Sequence, residues 1–249
     1  MTVANAHSQS VRPEISDVMK LVVLCDFDGT ITTIDTAEYV LARFAQADFR
    51  RFDRQFQRGE LTLEECLNKQ FYLMKASRKE ILDELRDRVI FRPNFRELAS
   101  YCEGNRFPLI VVSAGIDFVI EQFLRLNHCR DLVEVCAPKT EFTSNGIRFT
   151  FPRIFDRTSD NFKRDMVKSC KSQHREVIYV GDGFADCAPA QDADVSFAIK
   201  GSKLARLCRS HGMPCRNMTD FQEVIEEIRK IKIQGEHDKL TRSRNEKYA

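Results

Sequence analysis

LVVLCDFDGT, residues 21–30, runs apolar residues directly into two aspartates and a glycine. A continuous apolar strand is the pattern of a strand buried on both faces, as in a parallel sheet, and here it stops where acidic groups are delivered to an edge. Two later runs are built alike. LIVV at 109–112 ends at Ser113-Ala114-Gly115, and VIYV at 177–180 ends at Gly181-Asp182-Gly183, each followed by a stretch of helical character. Strand, loop and helix in alternation predict an α/β architecture with a parallel sheet.

Residues 26–108 separate the first two strands, far more than the ~30 residues of a βαβ unit. The excess predicts a helical cap over residues 36–104. Within it, Thr62-Leu63-Glu64-Glu65 and Ser77-Arg78-Lys79-Glu80 fit capping boxes. Leu63, Cys66, Leu67, Phe71 and Met74 recur at helical spacing and are read as the core of the cap. Downstream, the pattern predicts a helix over 118–126 and a hairpin of two short strands, 132–137 and 147–151, with Ser144-Asn145-Gly146 as its turn. A basic helix over 161–172, a helix over 185–192 and a strand over 195–199 follow. Thr219-Asp220-Phe221-Gln222 fits a third capping box, opening a last helix that reaches about 233. The expected organisation is a loose arm (1–18), a core made of 19–35 and 105–232, the cap (36–104), and a polar tail (233–249).

Composition narrows the partners. The 249 residues carry 39 Lys and Arg against 37 Asp and Glu, a formal charge of +2 that gives no electrostatic footprint for nucleic acid. The apolar runs are far shorter than the ~18 residues of a membrane span, and the polar N-terminus has no apolar secretory segment, so a cytoplasmic protein without a membrane partner is expected. The nine cysteines are scattered singly, with no CxxC or Cys/His spacing that would suggest zinc, and are read as reduced, mostly buried residues. The five histidines show no metal spacing either.

The chemistry is therefore sought at the carboxyl ends of the strands, where open parallel sheets form their crevice. Asp26 and Asp28 stand two apart at the first such end, with Gly29 allowing a sharp turn behind them. Ser113, with the backbone N–H groups of Ala114 and Gly115, offers a hydroxyl and an anion nest at the second. Asp182 and Asp186 arrive at the third, beside glycines. Carboxylates converging without Cys or His suit a hard cation, and Mg2+ is the expected one where phosphate also binds. Lys163, Lys168 and Lys171 lie ahead of the third strand, and spacing does not choose among them.

Taken in order, DFDGT, VVSAG, Lys163 and VGDGFAD resemble the haloacid dehalogenase superfamily of phosphatases over about residues 20 to 200. That resemblance implies a Rossmann-like three-layer core with an inserted helical cap. It implies Asp26 as the nucleophile that takes the phosphoryl group, and Asp28 as the acid that protonates the leaving oxygen and later activates water. It implies Ser113 and Lys163 as phosphate ligands, and Mg2+ held by Asp26, the backbone carbonyl of Asp28 and Asp182, with Asp186 in support. The acid Asp28 has no task in displacing halide, which favours a phosphatase over a dehalogenase.

The cap and the SAGID and GDGFAD segments resemble the phosphoserine phosphatase branch, with two departures. Gln70 stands where that branch carries an arginine for the substrate carboxylate, and Asp35 stands where it carries a glutamate. DVSFAIKGSKLARLCRSHGMPC, with TDFQEV after it, is more similar to the 2-hydroxy-3-keto-5-methylthiopentenyl-1-phosphate phosphatases of methionine salvage. A small phosphorylated metabolite, with that enol phosphate preferred, is the expected partner. Phosphoserine is the alternative, and a non-catalytic phosphate-binding scaffold is the alternative of another class.

Overall fold

The computed structural model describes residues 21–155 and 161–246, and the expected N-terminal arm (1–18) lies outside the described residues. In chain order the strands are β1 (Leu21–Cys25), β2 (Leu109–Val112), β3 (Glu134–Cys136), β4 (Lys139–Thr143), β5 (Gly146–Thr150), β6 (Glu176–Gly181), β7 (Val195–Ile199) and β8 (Arg216–Met218). Six of them form one sheet in the order β3-β2-β1-β6-β7-β8, with every neighbouring pair parallel. β1 and β2 are buried throughout, which is what their uninterrupted apolar runs require. Because β1 pairs with β2 on one side and β6 on the other, the order of connection reverses at β1, and the crevice opens beyond its carboxyl end.

The helices are α1 (Thr36–Phe44), α2 (Arg50–Gln57), α3 (Leu63–Tyr72), α4 (Arg78–Leu85), α5 (Phe95–Gly104), α6 (Asp117–Leu126), α7 (Phe162–Ser172), α8 (Cys187–Asp192), α9 (Lys203–His211) and α10 (Gln222–Glu246). Both predicted capping boxes of the insertion form. Thr62 and Glu65 close one at the start of α3, and Ser77 and Glu80 close the other at the start of α4. The chain leaves and re-enters the core side by side: Thr33 N–H donates to Ile90 O at 2.9 Å, and Arg92 N–H donates to Ile31 O at 2.7 Å. A row of rings, Phe27, Phe91, Phe95 and Phe221, joins this crossing to the residue preceding α10, with centroid spacings of 6.0, 5.8 and 5.1 Å.

Four details differ from the sequence expectation. α5, expected inside a cap ending at 104, packs on α10 and β2, so the chain is back in the core by Phe95. Residues 132–137 do not form the hairpin. β3 joins the edge of the main sheet, and the hairpin pairs β4 with β5, its register running from Lys139 opposite Thr150 to Thr143 opposite Gly146. β4 escaped notice because its residues are mostly exposed and polar. At α10 the expected third capping box is displaced: Glu223, not Gln222, reaches back to Thr219 N at 2.9 Å, and Asp220 accepts from Gln222 N at 2.7 Å. Finally, α10 continues to Glu246, through the segment expected to be a frayed tail from 233. Among the described residues no helix is long and apolar enough to cross a membrane.

Candidate active site

β1 delivers Asp26 at its end, and the following loop folds back on itself at Gly29, whose φ of 71° lies in the left-handed region. A side chain there would be strained and would also meet Asp182, whose Oδ2 lies 2.5 Å from the position of a Cβ. The loop is clamped from the far end of the insertion. The Arg92 guanidinium donates to Thr30 O at 2.9 Å and to Gly29 O at 3.0 Å. Thr30 Oγ1 in turn donates to Asp182 Oδ1 at 3.1 Å, tying the first strand end to the third.

Asp28 is buried and turned away from the acidic cluster. Its Oδ1 accepts the backbone N–H of Thr36 at 3.0 Å and the Thr36 hydroxyl, both from the first residue of α1. Its Oδ2 lies where a Cβ on residue 115 would stand, so Gly115 is what admits the carboxylate. Burial raises the pKa of Asp28, and the Thr36 hydrogen bonds oppose that rise. Ser113, fully buried at the end of β2, accepts the Gly115 N–H at 3.0 Å, so of the two expected nest amides one is engaged by the hydroxyl.

Lys163 is brought in by a helix cap. The Asn161 side chain accepts the N–H groups of Lys163 and Arg164 at 3.1 and 3.2 Å and donates to Ala185 O at 3.1 Å, fixing the start of α7 to the loop after β6. Lys163 Nζ then lies 2.7 Å from Asp26 Oδ1 and 2.8 Å from Asp186 Oδ1, and is 2% exposed. Burial works against its charge, but the Asp186 and Asp26 carboxylates outweigh it and raise its pKa. Lys168 is exposed, and Lys171 pairs with Asp194 at 2.9 Å on the surface.

Asp186 accepts four hydrogen bonds. Its Oδ1 takes Lys163 Nζ and the Tyr179 hydroxyl at 2.7 Å, and its Oδ2 takes the backbone N–H groups of Asp182 and Gly183 at 3.0 and 2.8 Å. Burial would raise its pKa, but the Lys163 charge and these donors lower it. Asp26 goes the other way, pushed well up by burial and by Asp186 and Asp182 against the pull of Lys163. Asp182 is pushed up to about 7, by burial first and by Asp186 second.

The site thus holds more negative charge than its one ammonium neutralises. Ligand oxygens of Asp26, Asp182 and Asp186 lie within 4.8 Å of one another, an all-oxygen donor set that fits a hard divalent cation. With the Asp186 oxygens saturated by donors, Asp26 and Asp182 keep the open ones. Neither Asp26 Oδ2 nor Asp182 Oδ2 accepts a hydrogen bond among the described residues, and both residues line the cleft.

The cleft has a volume of about 550 Å³, between these strand ends and the inserted helices. Asp35 and Gln70 both line it. Asp35 serves as the N-cap of α1, accepting Glu38 N–H at 2.7 Å. Surrounding protein and the Asp28 charge raise its pKa, an effect that water moderates, because the side chain is exposed in the cleft. Gln70 is buried, with its amide nitrogen donating to Asp53 Oδ1 at 2.8 Å and to Phe49 O at 3.4 Å. Phe56 of α2 and Phe184 of the loop after β6 meet edge-on at 5.2 Å, spanning from cap to core.

Sequence reasoning missed Thr36, Tyr179, Thr30, Arg92 and Asp53. Tyr179 alone carried a signal, a phenol inside an otherwise apolar strand, which needs a polar partner when buried. The others act through backbone atoms or across the insertion, which spacing along the chain does not reveal.

The haloacid dehalogenase-like hydrolase family matches residues 23–190. The 2-hydroxy-3-keto-5-methylthiopentenyl-1-phosphate phosphatase of Brevibacillus brevis is 29% identical over 217 residues, covering 85% of this chain and 96% of that protein. The enzyme of the same name from Geobacillus kaustophilus is 28% identical over 222 residues, covering 86% and 98%. Among solved structures, a substrate-bound phosphoserine phosphatase superposes with a TM-score of 0.62 at 18% identity, covering 84% of this chain and 98% of that one, a likeness of fold.

Proposed function

The chain belongs to the haloacid dehalogenase-like hydrolase family, and from that membership we propose a phosphatase that passes the phosphoryl group of a small monoester through Asp26. Its substrate in this reading is 2-hydroxy-3-keto-5-methylthiopentenyl-1-phosphate. The observation that carries the mechanism is the pairing of Asp26 with Lys163 at 2.7 Å while its second oxygen stays open to the cleft, two residues from an acid held by Thr36.

An Asp26 oxygen attacks phosphorus, forming the acyl phosphate as the ester P–O bond breaks, and Asp28 gives its proton to the departing oxygen. The raised pKa of Asp28 suits it to carry that proton. Asp28 then takes a proton from the water that attacks phosphorus, releasing inorganic phosphate and restoring Asp26. Lys163 and the Ser113 hydroxyl hold the phosphoryl oxygens, and Asp186 positions Lys163. Asp26, Asp182 and the Asp28 carbonyl would hold Mg2+. The ion would supply the positive charge that lets a carboxylate approach a phosphate.

The substrate assignment is supported by the names of the relatives, aligned over nearly their whole lengths, and by the engagement of Gln70 inside the cap. The test is kcat/KM with Mg2+ for the methionine-salvage ester, phosphoserine, phosphocholine and sugar phosphates, alongside Asp26→Asn. The methionine-salvage ester is expected to give the highest value and Asp26→Asn none. A higher value for phosphoserine overturns the substrate, and full activity in Asp26→Asn overturns the mechanism.

A further inference from the structure

The cleft wall opposite the strand ends is built from α1, α2, α3 and the residue before α2, and Leu41, Phe49, Phe56, Leu63, Leu67 and Phe71 supply its apolar part. Glu38, Arg50, Arg54 and Gln57 line it as well, and among its polar residues Gln70 is buried and paired with Asp53. The Gln70 amide has two N–H donors, and both are spent within the wall, at 2.8 Å to Asp53 Oδ1 and 3.4 Å to Phe49 O. It therefore presents no donor to a ligand. Asp53 is half-buried and lines the cleft, and its Oδ2 accepts no hydrogen bond among the described residues.

Arg50 and Lys203 lie close enough to favour the charged form of Asp53, but among the described residues no cation forms an ion pair with it. Arg50 is paired with Glu38 at 3.0 Å and Arg54 with Asp48 at 2.9 Å, while Lys203 places its ammonium 5.5 Å from the Phe184 ring centroid on the core side. Burial raises the pKa of Asp53, and the Gln70 amide, donating to the ionised form, holds that rise back.

We propose that Asp53, presented to the cleft by Gln70, is a specificity-determining residue that excludes phosphate monoesters carrying a second negative charge. A half-buried carboxylate without an ion-pair partner repels a like charge more strongly than one in open water, whereas a hydroxyl-bearing or apolar tail meets an acceptor and the apolar side chains of the wall. The proposal rests on the phosphatase reading. It carries a further consequence for Gln70: an arginine introduced there would find the Asp53 carboxylate at hydrogen-bonding distance and be neutralised before it met a substrate.

The test compares kcat/KM for 3-phosphoglycerate and glycerol 3-phosphate, a pair that differs by a carboxylate against a hydroxymethyl group, with p-nitrophenyl phosphate as control. Asp53→Asn and Asp53→Ser are each expected to raise the 3-phosphoglycerate to glycerol 3-phosphate ratio by about tenfold or more. Gln70→Arg alone should shift it by less than about threefold, and Gln70→Arg with Asp53→Asn should exceed either single variant. Thermal melting of each variant reports its folding. An unaltered ratio in a folded Asp53→Asn or Asp53→Ser protein overturns the proposal, as does Gln70→Arg matching the double variant. Absence of p-nitrophenyl phosphate turnover by the unmodified protein with Mg2+ would instead bring down the phosphatase reading, and this proposal with it.

Discussion

Lys163, Lys168 and Lys171 look alike along the chain, and burial alone separates them. The first is enclosed between two carboxylates, the second is exposed, and the third is tied to Asp194 on the surface. Lys163→Ala removes the one buried counter-charge of Asp26 and Asp186, so kcat is expected to fall by about 10² or more, with Lys168→Ala within about twofold of the unmodified protein. Steady-state rates on p-nitrophenyl phosphate check this, and the opposite order of sensitivity would reassign the lysine. The acidic residues were legible because each follows an apolar strand directly, so that one-dimensional order matches three-dimensional convergence. Thr36 was not, since it meets the Asp28 carboxylate through the turn at Gly29, nor was Arg92, whose partners, the carbonyls of Gly29 and Thr30, are reached only once the insertion has folded back.

Among the elements, α3 and α4 show how local chemistry survives translation into structure. Their capping boxes need only residues three apart, so both could be read directly, whereas three-residue edge strands such as β8 carry too few positions for any alternation to show. Hydrogen bonds from the Thr62 backbone, and from the Ser77 hydroxyl, hold Glu65 and Glu80 below the ordinary carboxylate range. A lowered folded pKa means stability that is present above the unfolded value of about 4.3 and is lost as pH falls through the folded one. Backbone amides of α3 and α4 should therefore exchange faster, relative to those of β1 and β6, below about pH 4 than at pH 6. Thr62→Ala should abolish much of that difference in α3 at a cost of about 1 kcal/mol. A pH-independent protection ratio would argue against the acid response. The hairpin was only half legible: its turn and β5, which packs on α3 where Asn68 accepts Phe149 N–H at 2.8 Å and donates to Phe149 O at 3.3 Å, were evident, but the exposed, polar β4 was not.

For the whole molecule, the excess of carboxylates at the strand ends is a stability term. A cation that binds only the folded chain stabilises it by about 2.7 kcal/mol at one hundred times its Kd. Mg2+ should therefore raise the melting temperature by several degrees, a chelator should reverse the rise and the activity together, and Asp182→Asn should blunt both. Equal melting curves with and without Mg2+ would remove the ion from the site. The position of β1 at the middle of the sheet has a consequence for biosynthesis. Its strand leaves the ribosome before its neighbours, residues 109–112 and 176–181, and the loop carrying Asp182 and Asp186 follows both. A nascent chain holds Asp26 long before it holds the lysine and the acids that surround it. Folding of the centre must wait for distant sequence, so premature termination yields a chain that carries Asp26 without the lysine and carboxylates that enclose it.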